Sequence, residues 1–344
     1  MNIEDVTPAW LAGVLGTEVG ELEVERVGTG QIGTCYRVRM DGERTVLAKL
    51  PAQDPAARDL MAGAYRGEVR FYQQLAATVA TRVPACHHAE MAADSGDFVL
   101  LLEDLGALRP GDQLAGCTAE QARDAVVNLA GLHGPRWSDP TLLEVEGLSL
   151  NGPEDAAVLA ELYGPATELF LEGLGDLVSP EDAETLRACV DVCERWALAR
   201  SERFALVHGD YRLDNLMFPA DGSAGVVAVD FQTLSLALPA RDLAFFLGTS
   251  LAPEDRRAHE RDLVAAYHAA LTTYGVEGYS LAQCWDDYVF AMLQGPLVAV
   301  FGCAYGARTD RGDRMFAAMV ARACTAIRDL ETLSLVTESL VTDG

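Results

Sequence analysis

Residues 28–33 read Gly-Thr-Gly-Gln-Ile-Gly, and the strand just beyond this G-x-G-x-x-G spacing restricts the fold more than the glycines do. A dinucleotide-binding turn runs from a strand through the glycines into a helix, because the pyrophosphate sits on the helix N-terminus. Here residues 23–27 alternate as a strand before the loop, and residues 35–40 alternate as a second strand after it. Asp41-Gly42 is a two-residue hairpin signal, and residues 44–50 form the returning strand. Strand, loop and strand make a hairpin lid whose backbone N–H groups cover phosphates. Gly28, Gly30 and Gly33 are therefore candidate nucleotide-binding positions. The plainer reading is a turn that needs positive φ.

A helix is expected over residues 57–77, where Met61, Tyr65, Val69, Tyr72 and Leu75 recur at helical spacing. A short strand is expected at 97–102. Gly106, Pro110 and Gly111 then cluster, and beyond them the pattern turns mostly helical. Thr118-Ala-Glu-Gln opens a helix through His133 as a capping box. Further helices are expected at 154–174, 180–201 and from 241 to near 339, with short strands at 204–207 and 225–229. The expected class is α+β: a small β-rich N-terminal lobe over 1–104 and a larger, mostly helical C-terminal lobe over 105–344.

Two charges stand where apolar neighbours surround them. Lys49 lies in Val46-Leu47-Ala48-Lys49-Leu50, a half-buried strand, and a buried lysine needs an anionic partner. Glu68 falls on the apolar face of its helix, with Tyr65 three residues before and Tyr72 four after. A strand lysine paired with a helix glutamate orients nucleotide phosphates. Taken singly, each charge would simply snorkel to solvent.

The strongest local signal is Leu206-Val207-His208-Gly209-Asp210-Tyr211-Arg212-Leu213-Asp214-Asn215. His208, Asp210 and Asn215 keep the spacing of the H-R-D-x-x-x-x-N catalytic loop of protein kinases. An aspartate there accepts the proton of an attacking hydroxyl, and an amide oxygen a few residues on holds Mg²⁺. Arg212 is placed to neutralise charge on the transferring phosphoryl group. The apolar strand at 225–229 then ends in Asp230, which delivers a hard oxygen ligand at the strand's end. Any one of these aspartates alone would read as a turn or cap residue. The ordered set of glycine loop, Lys49, Glu68, Asp210, Asn215 and Asp230 does not. His208 is expected to hydrogen-bond backbone near Asp230, and Asp242 either caps its helix or braces the catalytic loop.

These residues resemble a known group. His208-Gly209-Asp210 through Asn215 is similar to the H-G-D-x-x-x-x-N loop of the aminoglycoside phosphotransferase and choline kinase superfamily. Asp230-Phe231-Gln232, Asp242-Leu243-Ala244-Phe245-Phe246-Leu247, Arg256, Glu260 and Leu263 before Tyr267, and Glu103-Asp104-Leu105 resemble its ecdysteroid-kinase-like branch. The resemblance spans roughly residues 27–305. It implies a two-lobed, protein-kinase-like fold that binds ATP, with the adenine edge on backbone near Glu103 and Leu105. It implies γ-phosphate transfer to a small-molecule hydroxyl, with Asp210 as base, Asn215 and Asp230 on Mg²⁺, Lys49 on the phosphates and Glu68 orienting Lys49. Arg212 stands where many aminoglycoside kinases carry histidine.

Composition narrows the partners. The 26 basic and 52 acidic residues leave a net charge of −26, which excludes a generally basic, nucleic-acid-binding surface. The eight cysteines contain no C-x-x-C, and Cys86-His87-His88 lacks a matching metal pair, so reduced thiols and a cytoplasmic location are expected. No signal peptide is visible, and the most apolar stretch, 296–304, falls short of the ~20 residues of a membrane span.

Other functions weigh less. The next helix starts near Arg241, only eleven positions after Asp230, which leaves too little chain for a protein kinase's activation loop and A-P-E segment. A catalytically silent nucleotide-binding module would be expected to lack one of Lys49, Asp210, Asn215 or Asp230. A nicotinamide oxidoreductase conflicts with the strand after the glycine loop. For the acceptor, Trp285, Asp286, Tyr288, Phe290, Met292, Gln294 and Phe301 are candidate lining residues that suit a steroid-like or lipid-like alcohol, although for any one of them an ordinary core helix is the stronger reading. The acidic balance suits an aminoglycoside-like or choline-like cation instead.

Overall fold

The structure is a computed structural model and describes residues 1–28 and 33–342. The chain forms two compact units. One is Met1–Thr78, Val83–Leu108 and Ala228–Leu234; the other is Val79–Arg82, Arg109–Val227 and Ser235–Gly344.

The first unit opens with helix α1 (Pro8–Leu15), whose Trp10 N–H donates to the Thr7 hydroxyl at 3.2 Å. Strands β1 (Leu22–Val27), β2 (Gly33–Met40) and β3 (Arg44–Pro51) come next, then helix α2 (Pro55–Arg70), β4 (Cys86–Met91) and β5 (Phe98–Glu103). The strands make one antiparallel sheet in the order β1-β2-β3-β5-β4. Period-2 alternation sorts its two faces. Tyr36, Val38, Met40, Val46, Ala48, Leu50, Val99 and Leu101 are buried on one face, with Val6, Leu11 and Trp10 packed over them. Burying each such aliphatic side chain is worth about 1.5–3 kcal/mol. Cys35, Lys49 and Leu100 lie side by side across β2, β3 and β5, at the alternate positions that point to the other face.

The β2–β3 connection is one residue longer than the two-residue turn expected. Met40 pairs with Arg44, so Asp41, Gly42 and Glu43 form the loop, and the Glu43 N–H donates to the Met40 carbonyl at 3.2 Å. Asp41 and Gly42 both take positive φ, 52° and 75°. Helix α2 starts on Asp54, whose carboxylate accepts the Ala57 N–H at 2.8 Å, with Pro55 at its first position. Beyond Arg70 the expected helix continues as a π turn (Phe71–Leu75) and a 3₁₀ turn (Ala76–Thr78). The extra residue in the π turn re-aims Phe71, which stacks on Phe231 at 3.7 Å with the planes 6° apart. Strand β4 has no sequence signature, because it is a bulged edge strand without alternating burial; Cys86-His87-His88 lies in it.

The chain continues through β6 (Leu108–Pro110), α3 (Ala119–His133), α4 (Pro153–Leu174), α5 (Pro180–Leu198), β7 (Ala205–Val207), β8 (Leu216–Pro219), β9 (Val227–Ala228), β10 (Ser235–Ala237) and α6 (Ala240–Ser250). It ends in α7 (Pro253–Thr273), α8 (Leu281–Phe290), α9 (Gln294–Tyr305), α10 (Asp310–Asp329) and α11 (Thr332–Thr342). The α3 capping box forms as expected: the Gln121 N–H donates to the Thr118 hydroxyl at 3.2 Å, and the Thr118 N–H to Gln121 Oε1 at 3.1 Å. Helix α6 is buried at all its residues and is the core of the second unit. Even Arg241 is inside, its guanidinium 4.1 Å over the Trp196 ring and donating to the Ala197 carbonyl at 3.0 Å. Burial lowers its pKa to about 10.

The run Leu281–Tyr305 is long and apolar enough to cross a membrane by composition, longer than the nine-residue stretch picked from the sequence. Two-thirds of its apolar window is buried inside the protein, as in a core helix. For three of the seven candidate lining residues the core reading holds instead. Tyr288, Phe290 and Met292 are fully buried core, and the Tyr288 hydroxyl donates to Glu260 at 2.9 Å. Asp286 pairs with Arg200 at 2.8 Å, and Trp285 lies under the Arg261 guanidinium at 4.0 Å. All eight cysteines are free thiols.

Candidate active site

In the first unit, β3 delivers Lys49 to the face opposite the sheet core. Its ammonium meets both Glu68 oxygens, at 2.9 Å (Oε1) and 2.7 Å (Oε2), and Asp230 Oδ1 at 3.1 Å. The side chains of Lys49 and Glu68 are 11% and 1% exposed, that of Asp230 38%. Burial alone would lower the Lys49 pKa, but Asp230 and Glu68 outweigh it and hold the ammonium charged, above the ordinary lysine value. Burial pushes Glu68 upward against the pull of Lys49. Cys35, across the sheet from Lys49, is pushed up to about 11, burial overcoming the nearby ammonium, and is a poor nucleophile. Asp230 sits at φ 69°, a left-handed conformation that aspartate tolerates better than most residues.

The glycine positions divide. Gly28 has φ 74°. At Gly33 a Cβ would stand 3.0 Å from the Leu50 carbonyl oxygen, so a side chain there would press β3 back by a few tenths of an ångström. Gly30 lies outside the described residues. At the end of β5, the Glu103 N–H donates to the Ala85 carbonyl at 2.8 Å and a Glu103 carboxylate oxygen accepts the Ala85 N–H at 3.0 Å. The Leu105 carbonyl accepts from Leu108 at 2.8 Å. Arg37 grips Asp104 between them through two hydrogen bonds of 2.8 and 3.2 Å, which fixes this segment.

In the second unit, the loop after β7 turns through Gly209 at φ 80° and reaches a 3₁₀ turn at Leu213–Asn215. Asp242, 1% exposed at the start of α6, holds the loop. Its oxygens accept the His208 N–H at 2.6 Å and the Gly209 N–H at 2.9 Å. It makes no side-chain cap bond for its own helix, so of the two expected roles it takes the bracing one. Asp242 is itself held by His133 Nε2 at 3.2 Å, and His133 Nδ1 lies 2.7 Å from the Tyr267 hydroxyl. His208 is buried, with Nδ1 3.3 Å from the Asp210 N–H. Tyr211 anchors the loop to α3 through the Ala125 carbonyl at 2.8 Å.

Asp210 is held on two sides. Arg212 Nε donates to its two oxygens at 2.9 and 3.1 Å, and Asn215 Nδ2 donates to its carbonyl and to Oδ2, both at 2.9 Å. Arg212 therefore grips the aspartate itself. Asn215, with its NH₂ on Asp210, has its amide oxygen as the remaining acceptor.

Three contributors carry no sequence signal. Gln113 is fully buried, receives the Leu213 N–H at 2.8 Å and donates to the Thr249 carbonyl at 2.9 Å. Arg311 and His133 are the others. Gln113 reaches Leu213, Arg311 reaches Asp214 and His133 reaches the bracing Asp242, each across about a hundred residues of chain, and none sits in a motif.

In the first unit Asp230 offers a hard carboxylate oxygen beside Lys49, a charged partner for phosphate. In the second unit Asn215 offers an amide oxygen, and both are the ligand type that Mg²⁺ takes alongside substrate phosphates. Among the described residues no group of three or more His, Cys, Asp or Glu is placed to hold a metal by itself.

Residues 165–275 match the ecdysteroid kinase-like family. Among solved structures, a protein of Ralstonia eutropha JMP134 classed with the aminoglycoside phosphotransferases aligns over 96% of this chain and 98% of its own, with TM-score 0.57 and 18% identity. A spectinomycin phosphotransferase, solved with ADP and spectinomycin, aligns over 92% of this chain and 96% of its own, with TM-score 0.52 and 12% identity. In sequence, mouse acyl-CoA dehydrogenase family member 10 is 23% identical over 258 residues, 70% of this chain. The chain spans about a fifth of that relative's length, 22%. The β-sheet N-terminal region and helical C-terminal region are those of a kinase-like α+β protein: the chain has the fold of the aminoglycoside phosphotransferases, and its residues 165–275 match the ecdysteroid kinase-like family.

Proposed function

We propose that the protein is an ATP-dependent small-molecule kinase that moves the γ-phosphate of ATP to a hydroxyl group of a small organic acceptor. One observation carries the reading: Asp210, on a loop whose backbone is hydrogen-bonded to a buried carboxylate, is oriented from both sides by Arg212 and Asn215. A carboxylate held so firmly suits a general base.

In this reading Asp210 accepts the acceptor's hydroxyl proton as the new O–P bond forms and the bond to the β-phosphate oxygen breaks, leaving ADP. Lys49, kept charged by Glu68 and Asp230, binds phosphate oxygens. Glu68 orients Lys49, and Gly28, Gly30 and Gly33 shape the lid over the phosphates. Backbone near Glu103 and Leu105 takes the adenine edge. Arg212 holds Asp210 before substrate arrives and offsets charge on the phosphoryl group afterwards. Magnesium, held through Asn215 and Asp230, would supply charge neutralisation across the phosphates.

An apolar, steroid-like or lipid-like alcohol is the proposed acceptor, supported by the family match over residues 165–275. A cationic acceptor is the second reading, favoured by the net charge of −26. Arg212 beside the base weighs against it.

Thermal shift with ATP and Mg²⁺ against NADH, for wild type and Asp230→Asn, tests the nucleotide. A shift with ATP and Mg²⁺ that the variant loses supports the reading, and ADP release against steroid-like and aminoglycoside alcohols then separates the acceptors. No shift with ATP, or a shift with NADH alone, overturns it.

A further inference from the structure

The grip of Arg212 on Asp210 has its own support, and that support comes from far along the chain. Arg212 Nη1 donates to Asp214 Oδ2 at 3.1 Å. Asp214 is in turn forked by Arg311, with Nη1 on Oδ2 and Nη2 on Oδ1, both at 3.0 Å. Arg311 Nη2 also reaches Asp112 Oδ1 at 3.2 Å, and the Gln113 N–H donates to Asp214 Oδ1 at 3.0 Å. A continuous chain of alternating charge therefore runs Arg311, Asp214, Arg212, Asp210.

The position of Arg311 is unusual on electrostatic grounds. It lies in the first turn of α10, where the helix dipole favours anions and disfavours a cation. The neighbouring first-turn residues Asp310 and Asp313 obey that rule. What Arg311 gains is Asp214, in the two-point geometry that only a guanidinium provides. Without it, Asp214 would keep Arg212 by a single 3.1 Å bond, with only the Gln113 N–H to hold its own orientation.

We propose that Arg311 is a positioning residue for the base: through Asp214 it fixes the Arg212 guanidinium that orients the Asp210 carboxylate. This rests on the reading of Asp210 as the base, and it makes the start of α10 part of the apparatus that sets the geometry of transfer.

The test is the Arg212 Nε–H resonance in the ¹⁵N-labelled 344-residue chain, assigned by its loss in Arg212→Lys. Hydrogen exchange at this group reports how often its bond to Asp210 opens. Exchange is expected to speed up by about tenfold or more in Arg311→Ala, less in Arg311→Lys, and not at all in Arg314→Ala, one turn along the same exposed face. In ATP turnover, Arg311→Ala is expected to lower kcat by about tenfold to a hundredfold with KM for ATP unchanged. Should Arg311→Ala fail to fold, Arg311→Lys and Arg311→Gln serve in its place. Unchanged exchange in the Arg311 variants overturns the link, whatever their activity. Faster exchange in a protein whose melting temperature ATP and Mg²⁺ do not raise would support the link and overturn the kinase reading, so the two failures are separable.

Discussion

Lys49 and Glu68 form a near-symmetric ion pair, the ammonium 2.9 and 2.7 Å from the two carboxylate oxygens, with the glutamate almost wholly out of solvent. A buried pair adds little stability by itself, because desolvation offsets the attraction. Breaking it from one side is another matter. Lys49→Ala leaves Glu68 as a buried, unpaired carboxylate and should cost about 3–5 kcal/mol. The double variant Lys49→Met with Glu68→Leu should cost less than Lys49→Ala alone. Urea unfolding of the three proteins checks this, and a Lys49→Ala cost under about 1 kcal/mol would mean that the pair is solvated. Both changes should also weaken ATP binding.

Asp210→Asn keeps the shape of the side chain and removes its basicity. Transfer is expected to fall by about 10²–10⁴-fold, with ATP affinity by thermal shift unchanged. Turnover within a few-fold of wild type would remove Asp210 from the role of base.

The parts of the two candidate clusters that sequence made legible are those held by local spacing. His208, Asp210 and Asn215 sit on one loop, and Asp230 closes an apolar strand, so their order alone suggested a shared chemistry. The Lys49–Glu68 pair was legible because two different periodicities, strand and helix, each left a charge on an apolar face. What stayed hidden depends on tertiary placement. Gln113 and Arg311 are ordinary polar residues until the fold carries them to Leu213 and Asp214. For each aromatic residue of α8 and α9 the sequence favours a core over a lining without deciding it, because a periodicity shows that a face is apolar and not what it faces. Strand β4 has no alternation to detect.

Asp230 allows a prediction that separates backbone from charge. At φ 69° a residue without a short polar side chain is strained, by about 1–3 kcal/mol. Asp230→Asn tolerates the conformation; Asp230→Ala does not. Both remove the charge beside Lys49, so both should abolish the magnesium-dependent part of the ATP thermal shift. Asp230→Ala should also be the less stable of the two by about 1 kcal/mol in urea unfolding. Equal stability would show that the backbone relaxes at this position.

Asp242 gathers two backbone N–H groups of the loop after β7 and one histidine. In Asp242→Ala those buried donors lose their acceptor, at about 1–3 kcal/mol each. Stability should fall by about 3 kcal/mol or more, and kcat should fall further than KM for ATP changes. Denaturation and steady-state kinetics on the same preparation decide it. Full activity would show that the loop holds its shape without this brace.

Asp214 sets an acid limit on the same loop. Burial raises its pKa, but the Arg311 fork, the Gln113 N–H and Arg212 outweigh burial and hold it below the ordinary aspartate value. The folded pKa therefore lies below that of the unfolded chain, which is about 3.9. Above that pH both states are ionised and the stabilisation is complete. As pH falls, the unfolded chain takes up the proton first, so acid favours unfolding, and the contribution is gone once pH has dropped through the folded pKa. Wild type should therefore lose stability more steeply than Asp214→Asn between about pH 5 and pH 3, while the gap between them stays constant from about pH 6 to 8. Urea midpoints across this range measure the gap. A gap that does not narrow in acid would mean that Asp214 gains nothing from Arg311 and Arg212 in the folded protein.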